Sequence, residues 1–147
     1  MSYETAVLVV PKDSHRRANM LEDIDGWRVA QIRDTSYSKQ FDNYKNMQRV
    51  WVNTNKQALE LLELKRIDAA VFNELIFNYS QTVLNEMIGF KKLDLTVAKE
   101  PQHIGFSKAK GESHKDLAES YSRVIQQLRD EGFIGKIVRS YSSLSLQ

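Results

Sequence analysis

Short apolar runs that suit β-strands alternate with amphipathic segments that suit α-helices over most of this 147-residue chain. Each run is rich in Val, Ile, Ala or aromatic residues and is followed by polar, turn-forming residues. The runs are residues 6–11, 27–32, 50–52, 67–72 and 93–98. Strands that alternate with helices in this way predict an α/β fold, a mostly parallel sheet flanked by helices.

Polar residues directly after several runs mark the places where helices are expected to begin. Residues 34–36 offer small polar groups ahead of an aromatic helical face. Thr54 with Gln57 forms a capping box, and Asn73 stands at the start of another helical segment. Because the carboxyl ends of parallel strands meet at one edge of a sheet, ligands are expected at that edge.

The C-terminal part of the chain is helical only. Apolar residues recur at helical spacing over 117–128 and again over 133–141. Two amphipathic helices are therefore expected at 113–141. The chain has no internal repeat and no linker rich in Pro or Gly, so a single domain is predicted.

Composition excludes several classes of function. Cysteine is absent, which removes thiol catalysis, disulfides and thiolate metal sites. The 21 basic and 19 acidic residues are scattered along the chain, so nucleic acid is not expected as a partner. No apolar stretch is long enough to span a bilayer, and the first residues lack the features of a signal peptide. The sequence is expected to be a soluble mature or truncated form.

No catalytic constellation is apparent. The histidines, His15, His103 and His114, are far apart in the sequence and lack paired ligand spacing. Neither a Gly-x-Ser-x-Gly motif nor a phosphate-loop pattern occurs. The sequence therefore predicts a protein that is not an enzyme and that holds no cofactor and no metal.

Several segments, in a fixed order, resemble the second half of a family 3 extracellular solute-binding protein. Proteins of this type deliver amino acids and similar polar solutes to ABC transporters. The segments are VLVVPKDS at 7–14, LEDIDGWRVAQIRDTSY at 21–37, ALELLELKRIDAAVFN at 58–73, IGFSKAKGE at 104–112 and LAESYSRVIQQLRDEGFIGKIVRSY at 117–141. The resemblance covers nearly the whole chain.

The resemblance implies a periplasmic-binding-protein-like (type II) lobe. Its parts are a hinge strand at 6–11, the second lobe at about 14–100, a return hinge strand at 102–107 and the C-terminal helices at 113–141. In the family, two lobes close around a solute by a hinge motion, and the first lobe has no counterpart in these residues. The expected function is that of the solute-binding component of an ABC-type transport system, in a truncated form. The expected location is the periplasm, and the expected partner is a transporter permease.

The resemblance places the solute at the turn that follows the run at 27–32. In the family this turn usually reads Gly-Thr-Ser/Thr, and its amides and hydroxyls hold the solute carboxylate at a helix N-terminus. Here the turn reads Asp34-Thr35-Ser36, and the negative charge of Asp34 opposes the binding of a carboxylate. The alternative is that Thr35 or Ser36 only caps the next helix.

Two further side chains are candidate ligand-binding groups. The amino-acid binders usually place an aspartate, which pairs with the solute ammonium, where this chain has Asn73. An amide accepts a hydrogen bond but supplies no charge, and capping of the next helix is its alternative role. Arg33 could present its guanidinium group to an acidic solute. The alternative is that Arg33 is a solvated arginine on the surface. Asp68 is expected to be structural.

Two other functions are compatible with the sequence: a ligand-sensing or interaction module of a signalling system on the same fold, and a remnant without a solute site. The absent first lobe also leaves the apolar stripes of the C-terminal helices without their usual partner surface. A homodimer is therefore expected, with exchange of these helices as one way to form it.

Overall fold

Residues 3–101, 103–107, 109 and 111–143 are described by this computed structural model. They divide into a sheet unit, residues 3–100, and a C-terminal unit that begins at Pro101. The sheet unit carries the strands, and the C-terminal unit carries two helices.

The sheet of the described residues has five strands, in the spatial order β3-β2-β4-β1-β5. Their bounds are β1 Tyr3–Pro11, β2 Arg28–Ile32, β3 Gln48–Val52, β4 Ala69–Asn73 and β5 Phe90–Pro101. β2 is parallel to both β3 and β4, whereas β1 is antiparallel to β4 and places Ala6 opposite Asn73. The sheet is thus mixed with a parallel centre, and the predicted α/β class is confirmed.

Short helical segments connect the strands, and side-chain caps mark where three of them begin. Their bounds are Leu21–Ile24 for a 3₁₀ turn, Lys39–Asn43 for α1, Asn55–Glu63 for α2 and Glu74–Thr82 for α3. Thr54 Oγ1 accepts the backbone N–H of Gln57 at 3.1 Å, and Asn73 Oδ1 accepts that of Ile76 at 3.0 Å. The predicted caps at Thr54 and Asn73 are confirmed.

The hydrophobic core lies on both faces of the sheet. Leu8 of β1 belongs to one buried cluster, which also holds Phe41 of α1. Val9 of β1 belongs to the other cluster, which holds Leu62 of α2 and Phe77 of α3. β1 is therefore covered on both faces, as its run of apolar and β-branched residues predicts.

The first helix begins later than the sequence predicts. Thr35 and Ser36 lie in a segment without regular structure, and α1 begins only after Ser38. Ser38 Oγ accepts the N–H of Phe41 at 3.3 Å and donates to the carbonyl of Val97 at 2.7 Å. The first bond makes Ser38 the cap of α1, and the second ties this cap to β5. The capping interpretation of Thr35 and Ser36 is therefore wrong.

The end of the sheet unit also differs from the prediction. A return strand was expected at 102–107, after an alternating strand at 93–98, but β5 is one continuous strand of 12 residues. Residues 103–107 have no regular secondary structure, and Gln102 lies outside the described residues. A strand needs a neighbour for its backbone hydrogen bonds, and no strand of the described sheet pairs with residues 103–107.

The C-terminal unit contains the two helices that the sequence predicts, α4 at Glu112–Asp130 and α5 at Phe133–Ser143. The helices pack against each other, yet α4 has no fully buried residue. Large apolar side chains of both helices stay exposed. They are Leu117, Tyr121, Val124, Phe133 and Ile137.

Candidate functional site

A cavity of about 290 Å³ opens at the edge of the sheet where β2 and β4 end and β1 begins. The parallel strands bring their carboxyl ends to this edge, and the antiparallel strand β1 brings its start. The lining residues are Glu4, Ala6, Ile32, Thr35, Ser36, Tyr37, Asn55, Val71, Asn73, Ala98 and Glu100. The cavity thus lies where ligands usually bind in sheets with parallel strands.

Small and apolar side chains from neighbouring strands form the floor of the cavity. Ala6 lies opposite Asn73 in the antiparallel β1–β4 pair. Because side chains of a strand alternate between its faces, Glu4 lies on the same face as Ala6 and Asn73. Ala6 and Ala98 both line the cavity and are almost fully buried. Their single methyl groups leave room that larger side chains at these positions would fill.

The loop that carries Thr35 and Ser36 is held in place by Asp42. Ser36 Oγ donates to Asp42 Oδ2 at 2.6 Å, and the backbone N–H of Tyr37 donates to the same oxygen at 3.1 Å. Ser38 then ties the loop to β5. Ser36 is therefore already hydrogen-bonded, whereas the hydroxyl of Thr35 makes no hydrogen bond with the described residues.

Asn73 uses both ends of its amide. Its Oδ1 caps α3 through the N–H of Ile76, and its Nδ2 donates to Glu4 Oε1 at 2.9 Å. The two partners fix the orientation of the amide, because the oxygen must face a donor and the nitrogen an acceptor. A solute at this end of the cavity would meet the carboxylate of Glu4 beside the amide.

The charged residues that line the cavity are acidic. Glu4 and Glu100 are lining residues, and no Lys, Arg or His is found among the described lining residues. Burial raises the pKa of Tyr37, and the negative charges of Asp42 and Glu4 raise it further. The phenol therefore stays neutral at physiological pH and offers a ring and a hydroxyl.

Two of the predicted site residues lie outside this cavity. Arg33 and Asp34 are exposed, and neither is a lining residue. Asp34 has a left-handed backbone with a φ of 59°, which turns the chain after β2. The structure therefore brings Thr35, Ser36 and Asn73 together and leaves the other two at the surface.

Sequence reasoning missed three polar lining residues: Glu4, Asn55 and Glu100. The two glutamates lie in β1 and β5, beyond the apolar runs that mark these strands in the sequence. Extending the period of two past each run places Glu4 with Ala6 and Glu100 with Ala98. That signal was sufficient to find both carboxylates.

A larger cavity, of about 520 Å³, lies near the end of β1 and the start of β5. Its basic lining residues are His15, Arg16, Arg17, Lys91 and Lys92. Arg16 is paired with Asp68 at 2.7 Å, and Lys92 is paired with Glu74. Since much of its positive charge is already used within the protein, this cavity is the weaker candidate site.

Within the described ranges, no group of His, Asp or Glu side chains is placed to hold a metal ion. None of the helices in that part of the chain is both long and apolar enough to cross a membrane.

The fold is that of known amino-acid-binding proteins of ABC transporters. A mutant of ArgBP from T. maritima has a TM-score of 0.73 and 22% identity, covering 97% of this chain and 59% of that chain. The probable amino-acid ABC transporter extracellular-binding protein ytmK from Bacillus subtilis has a TM-score of 0.69 and 15% identity, covering 98% and 60%. Domain 2 of TmArgBP has a TM-score of 0.50 and 24% identity, covering 59% of this chain and 91% of that domain.

No family model matches the sequence, and no curated protein matches it. At these identities the solved structures establish the fold, and the resemblance stated from the sequence is confirmed at that level. The chain spans 59% and 60% of the length of the first two neighbours. Both of these neighbours are binding proteins.

Proposed function

We propose that the sheet unit is the ligand-binding lobe of a solute-binding component of an ABC-type transport system for amino acids or related small polar solutes. One observation carries the proposal: Thr35, Ser36 and Asn73, which follow or end two parallel strands, line a single cavity. The shared fold with amino-acid-binding proteins supports it.

The three residues would act through hydrogen bonds. Thr35 has a hydroxyl without a partner in the described residues, so it is the most direct donor to a solute oxygen. Ser36 would accept a hydrogen bond from a solute donor while its own hydroxyl continues to donate to Asp42. Asn73 shapes the polar end of the cavity together with Glu4. Arg33 and Asp34 lie outside the lining, so neither carries the proposal.

The proposed place of action is outside the cytoplasm, in the periplasm or at the cell surface, with a transporter permease as the partner that receives the solute. The extracellular-binding protein from Bacillus subtilis, with the same fold, supports this assignment. The exposed apolar faces of α4 and α5 support a further proposal, that two chains pair and exchange or share these helices.

A thermal-shift screen tests the solute-binding function. The purified chain is heated with single amino acids, small carboxylates and polyamines, because a ligand of the folded state raises its melting temperature by mass action. At a ligand concentration of about 100 times Kd, the expected stabilisation is about 2.7 kcal/mol. The proposal is contradicted if no solute of these classes raises the melting temperature.

Matched variants locate the site. Thr35→Ala removes the hydroxyl that lines the cavity, whereas Ser122→Ala removes a hydroxyl on the exposed surface of α4. The ligand-induced shift, measured against each variant's own melting temperature, is expected to fall for Thr35→Ala and to stay unchanged for Ser122→Ala. Equal shifts in both variants would place the site elsewhere.

A further inference from the structure

We infer that the second cavity, near the end of β1 and the start of β5, binds a small anion with two or more negative charges, such as a diphosphate or a tricarboxylate. We call it the basic cavity, because Arg16, Arg17, Lys91 and Lys92 are among its lining residues. The inference goes beyond the proposed function and does not depend on it, since the candidate solute cavity lies at the other end of β1.

The loop that follows β1 forms one wall of the basic cavity and is held along β5. Lys91 Nζ donates to the carbonyl of Ser14 at 2.6 Å, and the N–H of Leu95 donates to the carbonyl of Ala18 at 2.9 Å. Residues 15–17, which read His-Arg-Arg, lie between these two contacts. The fold therefore holds a basic segment in place beside the start of β5 before any ligand binds, which lowers the entropy cost of binding.

Part of the positive charge of the basic cavity is matched within the protein. Lys92 pairs with Glu74. Arg16 pairs with Asp68 at 2.7 Å, but the same carboxylate also accepts a hydrogen bond from Nη2 of Arg28 at 3.1 Å. One carboxylate thus faces two guanidinium groups and cancels the charge of only one of them. A positive charge therefore remains beside the cavity even where the arginines are paired.

Arg17 and Lys91 supply positive charge that no acidic side chain of the described residues matches. Arg17 forms neither an ion pair nor a side-chain hydrogen bond with these residues. Lys91 donates to the carbonyl of Ser14, which leaves two of its three ammonium protons for a ligand. Asp94 is the acidic residue of the described lining, so the cations outnumber it. The basic cavity thus has a positive potential that attracts anions.

The donors suit a ligand with several anionic oxygens. An arginine offers a planar fork of N–H groups that matches a carboxylate or a phosphate, whereas a lysine acts as a point charge. Arg16 is already oriented, because its Cζ lies 4.5 Å from the ring centre of Trp27 and its Nη2 is bound to Asp68. Arg17 belongs to the loop and Lys91 to β5, so an anion with two charged groups can pair with both walls. The volume of about 520 Å³ is in the range of small-molecule sites.

Calorimetric titration of the full 147-residue chain tests the inference. The probes are pyrophosphate and citrate, with acetate as the monovalent control, all at the same ionic strength. Pyrophosphate or citrate is expected to bind about tenfold or more tightly than acetate, because each further charge-assisted contact adds to the binding free energy. The comparison of pyrophosphate with citrate distinguishes a phosphate ligand from a carboxylate. Equal affinity for all three probes, or no binding of any, would overturn the inference.

Variants of single charges locate the anion. Arg17→Gln and Lys91→Gln are each expected to weaken binding about tenfold, since each removes one charged donor. Asp94→Asn is expected to strengthen binding, because it removes the negative charge of the lining. Lys56→Gln is the matched control: it alters the net charge as Arg17→Gln does, at an exposed position on α2 outside the lining, and should leave binding unchanged.

An equal loss of affinity in Lys56→Gln and Arg17→Gln would show that net charge alone attracts the anion, and the inference would fall. Should Lys91→Gln fail to fold, Arg17→Gln still decides the outcome, because Arg17 is exposed and its substitution breaks no hydrogen bond with the described residues. An amino acid identified by the thermal-shift screen should not compete with pyrophosphate. Competition would place the anion in the solute cavity and refute the inference, whereas a failed anion titration leaves the proposed function standing.

Discussion

Arg28 and Asp68, 40 residues apart in the sequence, join the start of β2 to the residue that precedes β4. Asp68 accepts the backbone N–H of Arg28 at 2.8 Å and its Nε and Nη2 at 3.1 Å. Arg16 adds a bond at 2.7 Å. The carboxylate therefore aligns two parallel strands at the edge opposite the candidate site, which confirms the structural role predicted for it.

Asp68→Asn is expected to destabilise the protein by about 2 kcal/mol, because the amide loses the charge that supports hydrogen bonds from two arginines. Urea unfolding followed by circular dichroism measures the change. Asp94→Asn, at an exposed position on β5, is the matched control and should leave the unfolding midpoint within the range of ordinary surface substitutions. Equal midpoints for both variants would contradict the role of Asp68.

The stability that Asp68 contributes is expected to depend on pH. Burial alone would raise its pKa, but the hydrogen bonds from Arg28 and the charges of Arg16 and Arg28 outweigh burial and lower it. Since the folded-state pKa lies below the unfolded value of about 3.9, the contribution is complete above about pH 5 and is lost as the pH falls through the folded-state pKa. The difference in unfolding free energy between the unmodified chain and Asp68→Asn should therefore shrink below about pH 4. A difference that stays constant down to about pH 2 would contradict this.

Ser38→Ala is expected to loosen the loop that lines the cavity. The hydroxyl caps α1 and also bonds the carbonyl of Val97, so its loss should cost about 1 to 2 kcal/mol. Hydrogen exchange of the amide of Phe41 should become faster. Ser36→Ala, which removes only the bond to Asp42, is the control and should leave the exchange of Phe41 nearly unchanged.

Asn73→Ala and Asn73→Ser separate the two contacts of Asn73. Alanine removes the cap of α3 and should destabilise the protein by about 1 kcal/mol, whereas serine retains a capping oxygen and should cost only a few tenths. Neither side chain reaches Glu4, so both variants should bind a solute more weakly. Chemical unfolding and titration with a solute identified by the thermal-shift screen measure the two effects. Full solute affinity in the serine variant would show that the contact with Glu4 is irrelevant to binding.

The sequence predicts the strands well because burial on both faces requires continuous apolar runs, as at Val7 and Val9 of β1. It also predicts the positions of Thr35 and Asn73, because both follow from the order of strands and the polar residues at their ends. Both patterns are local in the sequence and do not depend on contacts between distant residues.

Other features depended on contacts between distant residues. Thr35, Ser36 and Ser38 all carry hydroxyls that can cap a helix. Ser38 is distinguished by its contacts in the fold, since it accepts the N–H of Phe41 and donates to the carbonyl of Val97. Glu4 and Glu100 lie beyond the apolar runs of β1 and β5, so only the two-residue alternation continued from Ala6 and Ala98 points to them. The return strand predicted at 102–107 does not form at residues 103–107, because a strand also requires a pairing partner.

The exposed face of α4 gives the last prediction, on oligomeric state. Leu117, Tyr121 and Val124 lie one helical turn apart on one face and are exposed by 43%, 48% and 55%. If two chains cover these faces, light scattering should give about twice the 17.0 kDa mass of the chain, and Tyr121→Asp should shift the mass toward a monomer by placing a charge in the contact. Gln126→Asp, about half a turn away on the opposite face, is the control and should leave the dimer intact. A monomeric mass of the unmodified chain at high concentration would refute the pairing.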